Sequence, residues 1–199
     1  MKKLRIFNVL WTSINGGPSP DNNKRTELFL SGCKMAREGN PCKGCFNPSL
    51  WDDNEFIAEE DPIKAAGHVE KYAPNKYITI VGGEPLDQKE ALVPFMKELK
   101  RRGFHIILFT HYEYEELRKD EDELIQDILD IPDIIIDGKY DYTQHIYDEN
   151  IKDGFHNVIG SGNQRIWING TGSYARNVES FRMEKIGNEI ITLVVERRG

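Results

Sequence analysis

The sequence predicts an α/β domain of alternating strands and helices, and three observations carry that prediction. Short apolar, β-branched runs recur along the chain, helical-period segments lie between many of them, and turns rich in Gly, Pro and Asn separate the two. A length of 199 residues suits one domain, here residues 1–199, with enough chain to bury a sizeable core.

RIFNVLW (5–11) and ELFLSG (27–32) have strand length and composition, and NGGPSPDNN between them is a loop. Asp61-Pro62 opens a helix, with Asp as N-cap and Pro in the first turn. KYITIV (76–81) is a buried strand that ends in the turn GGEPLD. A helix from about 88 to 102 follows, its Leu92, Phe95, Met96 and Leu99 at helical spacing and Gly103 as its stop. FHIILFT (104–110) is the next strand. The acidic stretch YEYEELRKDEDELIQDILD then reads as helical, with Leu117, Leu124, Ile128 and Leu129 turned inward and its charges in solvent. DIIID (133–137) is a further strand, and FRMEKIGNEIITLVV reads as a hairpin around Gly187-Asn188, part of a C-terminal extension from about 170 to 199. The strand–helix units number fewer than the eight of a closed barrel, which predicts a partial barrel or an open sheet.

A net charge of −7 argues against general nucleic-acid binding, which needs a basic surface. No run approaches the roughly 18 apolar residues of a membrane span. The brief apolar run after the basic start, with no cleavage site behind it, reads as a strand of a cytoplasmic protein.

The three cysteines, Cys33, Cys42 and Cys45, all fall in the loop 31–51. An odd count excludes a closed disulfide framework, and clustering in a cytoplasmic chain points to metal or redox chemistry. Three thiolates suit a 4Fe-4S cluster with one iron left open; zinc would require a fourth, remote ligand such as His68, His105, His111, His145 or His156. The cysteines alone leave both open. The spacing C-x8-C-x2-C permits a shared centre without demanding one. The second feature is Gly82-Gly83-Glu84-Pro85 at the end of a predicted strand, where α/β folds gather ligands: glycines allow close backbone approach, and Glu84 offers a carboxylate to a cationic ammonium group.

Together these segments resemble the radical S-adenosylmethionine superfamily, and within it the activating proteins of anaerobic ribonucleotide reductase. The resemblance rests on Asn15-Gly16-Gly17-Pro18, ELFLSGC, CKGCFNPSLW, GGEP, FTHYEYEEL, Ile136-Asp137-Gly138 and Gly160-Ser161-Gly162-Asn163-Gln164-Arg165. It implies a partial (βα) barrel, to which the C-terminal hairpin, matched by none of these motifs, is an addition. It also implies a 4Fe-4S cluster held by Cys33, Cys42 and Cys45, whose open iron takes the amino and carboxylate groups of S-adenosylmethionine. Glu84, within Gly82–Pro85, would orient that amino group and Phe46 would lie near the adenine. Thr110 would line the pocket, and Asn163 and Arg165 would reach the ribose or carboxylate. The implied reaction is reductive cleavage of the cofactor, followed by glycyl-radical formation on the large reductase subunit, with a flavodoxin- or ferredoxin-type electron donor. Rival readings are an activase for another glycyl-radical enzyme, a small-molecule enzyme such as 7-carboxy-7-deazaguanine synthase, and a zinc- or cluster-binding interaction module. Two departures stand out. Eight residues separate the first two cysteines where the family usually has three, and His111 stands where glycine is usual. Trp11 and Trp51 are read as packing residues.

Overall fold

The structure, a computed structural model, describes residues 2–22, 24–146, 158–169 and 178–196. His156 and the first part of the C-terminal extension lie outside the described residues. Nine strands are formed among those described: β1 (Leu4–Ser13), β2 (Arg25–Leu30), β3 (Ala58–Glu60), β4 (Tyr77–Gly82), β5 (His105–Phe109), β6 (Ile134–Asp137), β7 (Arg165–Ile168), β8 (Val178–Ile186) and β9 (Glu189–Glu196). The first seven make one sheet in the order β3-β1-β2-β4-β5-β6-β7. Its central pairings, β2 with β4, β4 with β5 and β5 with β6, are parallel, and the outer ones are antiparallel.

The parallel pairings require crossovers, and helices supply them: α2 (Pro62–Tyr72) before β4, α3 (Lys89–Arg101) before β5, and α4 (Tyr114–Leu117) with α5 (Glu123–Asp130) before β6. Asp61 caps α2 as its sequence predicts, Oδ1 accepting from the amides of Ile63 and Lys64 at 3.0 and 3.2 Å. The acidic stretch differs from its single-helix reading. It breaks after Leu117 because Asp122, with an Asp120 carboxylate on its own amide, turns its side chain onto the amide of Leu124 and starts a second helix.

Strand alternation divides the core into two faces. Ile78, Ile80, Ile106, Leu108 and Ile135 point to the helical side, where Leu92, Phe95, Met96 and Leu99 of α3 are fully buried. Each such side chain contributes about 1.5–3 kcal/mol by leaving water. Ile107, Ile134, Ile136, Ile166 and Ile168 point to the opposite face, which the hairpin β8–β9 covers with Val178, Phe181 and Met183. The predicted hairpin is thus present and packs over the second side of the sheet. No helix among the described residues is long and apolar enough to cross a membrane.

Candidate cluster and cofactor site

The site lies beyond the carboxyl ends of β2, β4, β5 and β6. The cysteine loop leaves β2 through Ser31, which is buried and donates its hydroxyl to the Glu55 carbonyl at 2.5 Å. Gln88, at the start of α3, receives the Arg5 amide at 2.7 Å and donates to the Arg5 and Ser31 carbonyls, locking the loop root to β1. Gly32 and Cys33 then donate their amides to the Leu50 and Trp51 carbonyls, so the two ends of the loop are tied together. The eight residues between Cys33 and Cys42 do not all hang free: Cys33 opens a short helix α1 (Lys34–Arg37), whose first amide is received by Asp87 Oδ2 at 2.6 Å.

The GGEP turn is fitted against this loop. Gly83 and Glu84 donate their amides to the Leu30 and Gly32 carbonyls at 2.8 and 2.7 Å. A Cβ on Gly83 would fall 1.9 Å from the Gly32 oxygen, and one on Gly82, at φ +135, would fall 2.2 Å from the Leu30 amide nitrogen. The backbone that approaches these glycines is therefore the root of the cysteine loop, and only their other side is left for a ligand.

A cavity of about 280 Å³ follows, lined by Cys42, Cys45, Phe46, Gly82–Pro85, Thr110 and His111, with Gly138, Tyr140 and Gln164 closing it. Cys33 is buried and does not itself line the cavity, and none of the three thiols is in a disulfide. Burial pushes the Cys42 thiol up from its ordinary value; neighbouring Cys45 and Cys33 add to that, while a backbone hydrogen bond at Tyr140 opposes it. Several like thiols crowded at one cavity disfavour their own ionisation until a cation neutralises them. Trp51 was read as packing, yet its indole nitrogen donates to Cys45 Sγ at 3.4 Å.

Glu84 is 1% exposed and fully engaged. Oε1 accepts from the Leu86 amide at 3.0 Å and the Thr110 hydroxyl at 2.9 Å; Oε2 accepts from the His111 amide at 2.9 Å and lies 2.7 Å from His111 Nδ1. Thr110 thus positions Glu84 as well as lining the cavity. Burial pulls the His111 imidazole down, but Cys33 and Glu84 outweigh it and lift the group to about 9.

A second, outer groove of about 680 Å³ lies beside the cavity, between α1 and the Tyr112–Glu116 segment. Asn163 and Arg165 line this groove rather than the cavity. The Asn163 amide donates to the Lys139 carbonyl at 2.6 Å, and the Arg165 guanidinium forks onto Asp137 and reaches Glu115. Of that motif, Gly160 and Gln164 line the cavity. His111 and Gly138 belong to both spaces.

Among the described residues no three ligand side chains are drawn tightly enough together to hold a single metal ion. An iron–sulfur cube is larger than an ion and takes its thiolates from farther apart. The donor set fits it: Cys42 and Cys45 line one partly enclosed cavity, Cys33 lies near enough to influence Cys42, and an N–H donates to the Cys45 sulfur.

An α/β domain with this arrangement at the carboxyl ends of its strands is an iron–sulfur protein with room for a small ligand beside the cluster. The chain belongs to the 4Fe-4S single cluster domain family, whose description matches residues 21–167. It is 29% identical over 160 residues to the anaerobic ribonucleoside-triphosphate reductase-activating protein of Enterobacteria phage T4, covering 74% of this chain and 86% of that one. It is 29% identical over 124 residues to the protein of the same name from Pasteurella multocida, covering 59% and 74%. It is 30% identical over 137 residues to the pyruvate formate-lyase-activating enzyme of Clostridium pasteurianum, covering 65% and 54%. These relatives bear out the resemblance to radical S-adenosylmethionine activating enzymes.

Proposed function

We propose that this chain is a radical S-adenosylmethionine activase that installs a glycyl radical on anaerobic ribonucleotide reductase. The observation that carries the reading is the union, in one cavity, of the cysteine loop with a buried carboxylate held at the end of β4. Cys33, Cys42 and Cys45 would bind the cluster. When bound and reduced, the cluster would supply the one electron needed to cleave the cofactor's sulfonium bond, the chemistry by which a hydrogen atom would be taken from a partner glycine.

The chain's own residues bind and orient. Glu84, held in place by Thr110 and the Leu86 and His111 amides, receives the cofactor's ammonium group. Gly82, Gly83 and Pro85 shape the wall beneath it. Phe46, whose ring lies 4.3 Å from that of Tyr140, offers an apolar face for the adenine. Gln164, whose side chain accepts from the Gly160 and Ser161 amides and donates to the Gly138 carbonyl, shapes the far wall. We assign Asn163 and Arg165 to holding the rim of the outer groove, because the Arg165 fork is already occupied by Asp137.

We read the parallel strands β2, β4, β5 and β6 with their crossovers as part of a partial (βα) barrel, within a single domain to which β8–β9 is appended. The open mouth beside α1 suits a loop of a large glycyl-radical partner, and a flavodoxin- or ferredoxin-type protein would deliver the electron. Unpaired cysteines fit a reducing compartment, which is the basis for assigning the protein to the cytoplasm. Two of the relatives named above are reductase-activating proteins, which favours that target over the other glycyl-radical enzymes.

The test is to incubate the anaerobically reconstituted, reduced protein with S-adenosylmethionine and the cognate large reductase subunit. A glycyl-radical signal by electron paramagnetic resonance is expected. Cofactor cleavage without that signal would reject the reductase as target and leave the radical chemistry intact.

A further inference from the structure

His111 occupies the centre of the site, lining both the cavity and the outer groove. Its side chain is 7% exposed. One ring nitrogen, Nδ1, is 2.7 Å from Glu84 Oε2, and the other, Nε2, is buried without a well-aligned hydrogen bond, although the ring also interacts with the Cys33 thiol. A buried imidazole nitrogen left with no more than a thiol is poorly satisfied, which calls for an explanation. Here it belongs to a ring that lines the same cavity as Cys42 and Cys45 and lies close enough to Cys33 to interact with it. An imidazole with one nitrogen on a carboxylate and the other free is the arrangement of a metal-ligating histidine, in which the carboxylate fixes ring orientation and keeps the proton on the distal nitrogen.

We propose that His111 Nε2 is the fourth protein ligand of the cluster in the cofactor-free enzyme, taking the iron that the three cysteines leave open, and that S-adenosylmethionine displaces it. The proposal rests on the cluster assignment above. Ligation needs no electron: Nε2 gives its proton to solvent and its lone pair to iron, while Nδ1–H stays on Glu84. Displacement exchanges one ligand for another. The cofactor's ammonium gives one proton to the departing imidazole, its nitrogen lone pair and carboxylate take the iron, and a remaining N–H of that amino group donates to Glu84.

The fold gives the ring somewhere to go. His111 borders both the cavity and the outer groove, so a side-chain rotation carries it from one to the other. The Tyr112 ring, 4.2 Å away and 38% exposed, stands at that boundary. Glycine at this position would leave Glu84 free at all times. Histidine instead makes the open iron available only to a ligand able to replace both of its contacts.

Pulsed electron paramagnetic resonance on the full chain tests this. The protein is made with natural or ¹⁵N-labelled histidine, reconstituted with iron and sulfide, and reduced without cofactor. A directly bound histidine nitrogen is expected, its coupling changing to the ¹⁵N pattern on labelling. The signal should be lost in His111→Gln, persist in His145→Gln, and disappear from the wild type when S-adenosylmethionine is added. No coupled histidine nitrogen in the wild type would overturn the proposal, a result that does not depend on how any variant folds. A coupling that survives His111→Gln would overturn it too, by assigning the nitrogen elsewhere. A histidine signal unmoved by cofactor that the same sample cleaves would overturn the displacement. A cluster-loaded sample that neither changes its signal nor cleaves the cofactor would reject the proposed function, while the assignment of His111 as ligand would stand.

Discussion

Glu84 and His111, 27 residues apart in the chain, meet side chain to side chain at 2.7 Å with almost no exposure to solvent. The contact joins the turn after β4 to the turn after β5, and it makes Glu84 the hub of the cavity. Its four neighbours within hydrogen-bonding distance come from Leu86, Thr110 and both the amide and ring of His111.

Glu84→Gln keeps the shape of that hub and removes its charge. Removing one member of a buried charge pair costs about 2–5 kcal/mol, so cofactor binding should weaken ~30-fold or more. Titration calorimetry of the anaerobic, cluster-loaded protein with S-adenosylmethionine measures this; equal affinity in the variant would remove Glu84 from the binding role.

Trp51 donates its indole N–H to Cys45 Sγ at 3.4 Å. Hydrogen bonds to ligand sulfur withdraw electron density and favour the reduced cluster. Trp51→Phe should therefore lower the cluster's reduction potential, by something on the order of tens of millivolts. Anaerobic redox titration followed by electron paramagnetic resonance reads the shift, and an unchanged potential would show that the contact is packing alone.

Gly83→Ala is predicted to be among the most damaging methyl additions in the chain. The new Cβ would lie 1.9 Å from the Gly32 oxygen and 2.7 Å from the Leu50 oxygen, both backbone atoms that have no room to yield. A loss of about 3 kcal/mol is expected from such overpacking. Urea denaturation of the apo-protein should show it as a lower midpoint, together with poorer iron incorporation as the cysteine loop is pushed away.

How far the sequence revealed this site depends on what each residue needs in order to be recognised. Cys33, Cys42, Cys45 and Glu84 could be singled out because their side chains carry the chemistry and their motifs are local. The strands KYITIV, FHIILFT and DIIID were legible from β-branched runs, and all three form β4, β5 and β6 within a residue or two. The break in the acidic stretch was hidden because it depends on Asp122 choosing a capping role over a helical one. Gln88, Gln164 and the sulfur contact of Trp51 were not legible at all. Each acts on backbone or sulfur brought in by the fold, such as Gln88 on Arg5 83 positions away. The reverse holds for Arg165, whose aptness for a ligand carboxylate is met within the chain by Asp137.

His105 provides a test of the fold away from the chemistry. Burial, reinforced by the neighbouring Arg25 guanidinium, drives its imidazole down to about 3 from the ordinary 6.5. A depressed value means that the unfolded chain binds this proton first. The stabilisation is therefore complete above pH 6.5 and is lost as the pH falls toward about 3. One proton gives a limiting slope of about 1.4 kcal/mol per pH unit. Denaturation midpoints of the apo-protein between pH 6.5 and 5, a range above most carboxylate titrations, should fall with pH in the wild type and stay nearly flat in His105→Gln. Parallel curves would mean that His105 is not buried neutral.

The central claim is that Cys33, Cys42 and Cys45 together hold a cluster with an iron left for S-adenosylmethionine. The most direct measurement is anaerobic incubation of the reconstituted, reduced protein with the cofactor, quantifying methionine and 5'-deoxyadenosine. Equal amounts of both are predicted from the wild type, and none from Cys42→Ala. Full cleavage by Cys42→Ala, or none by a wild type that carries four irons per chain, would contradict the account.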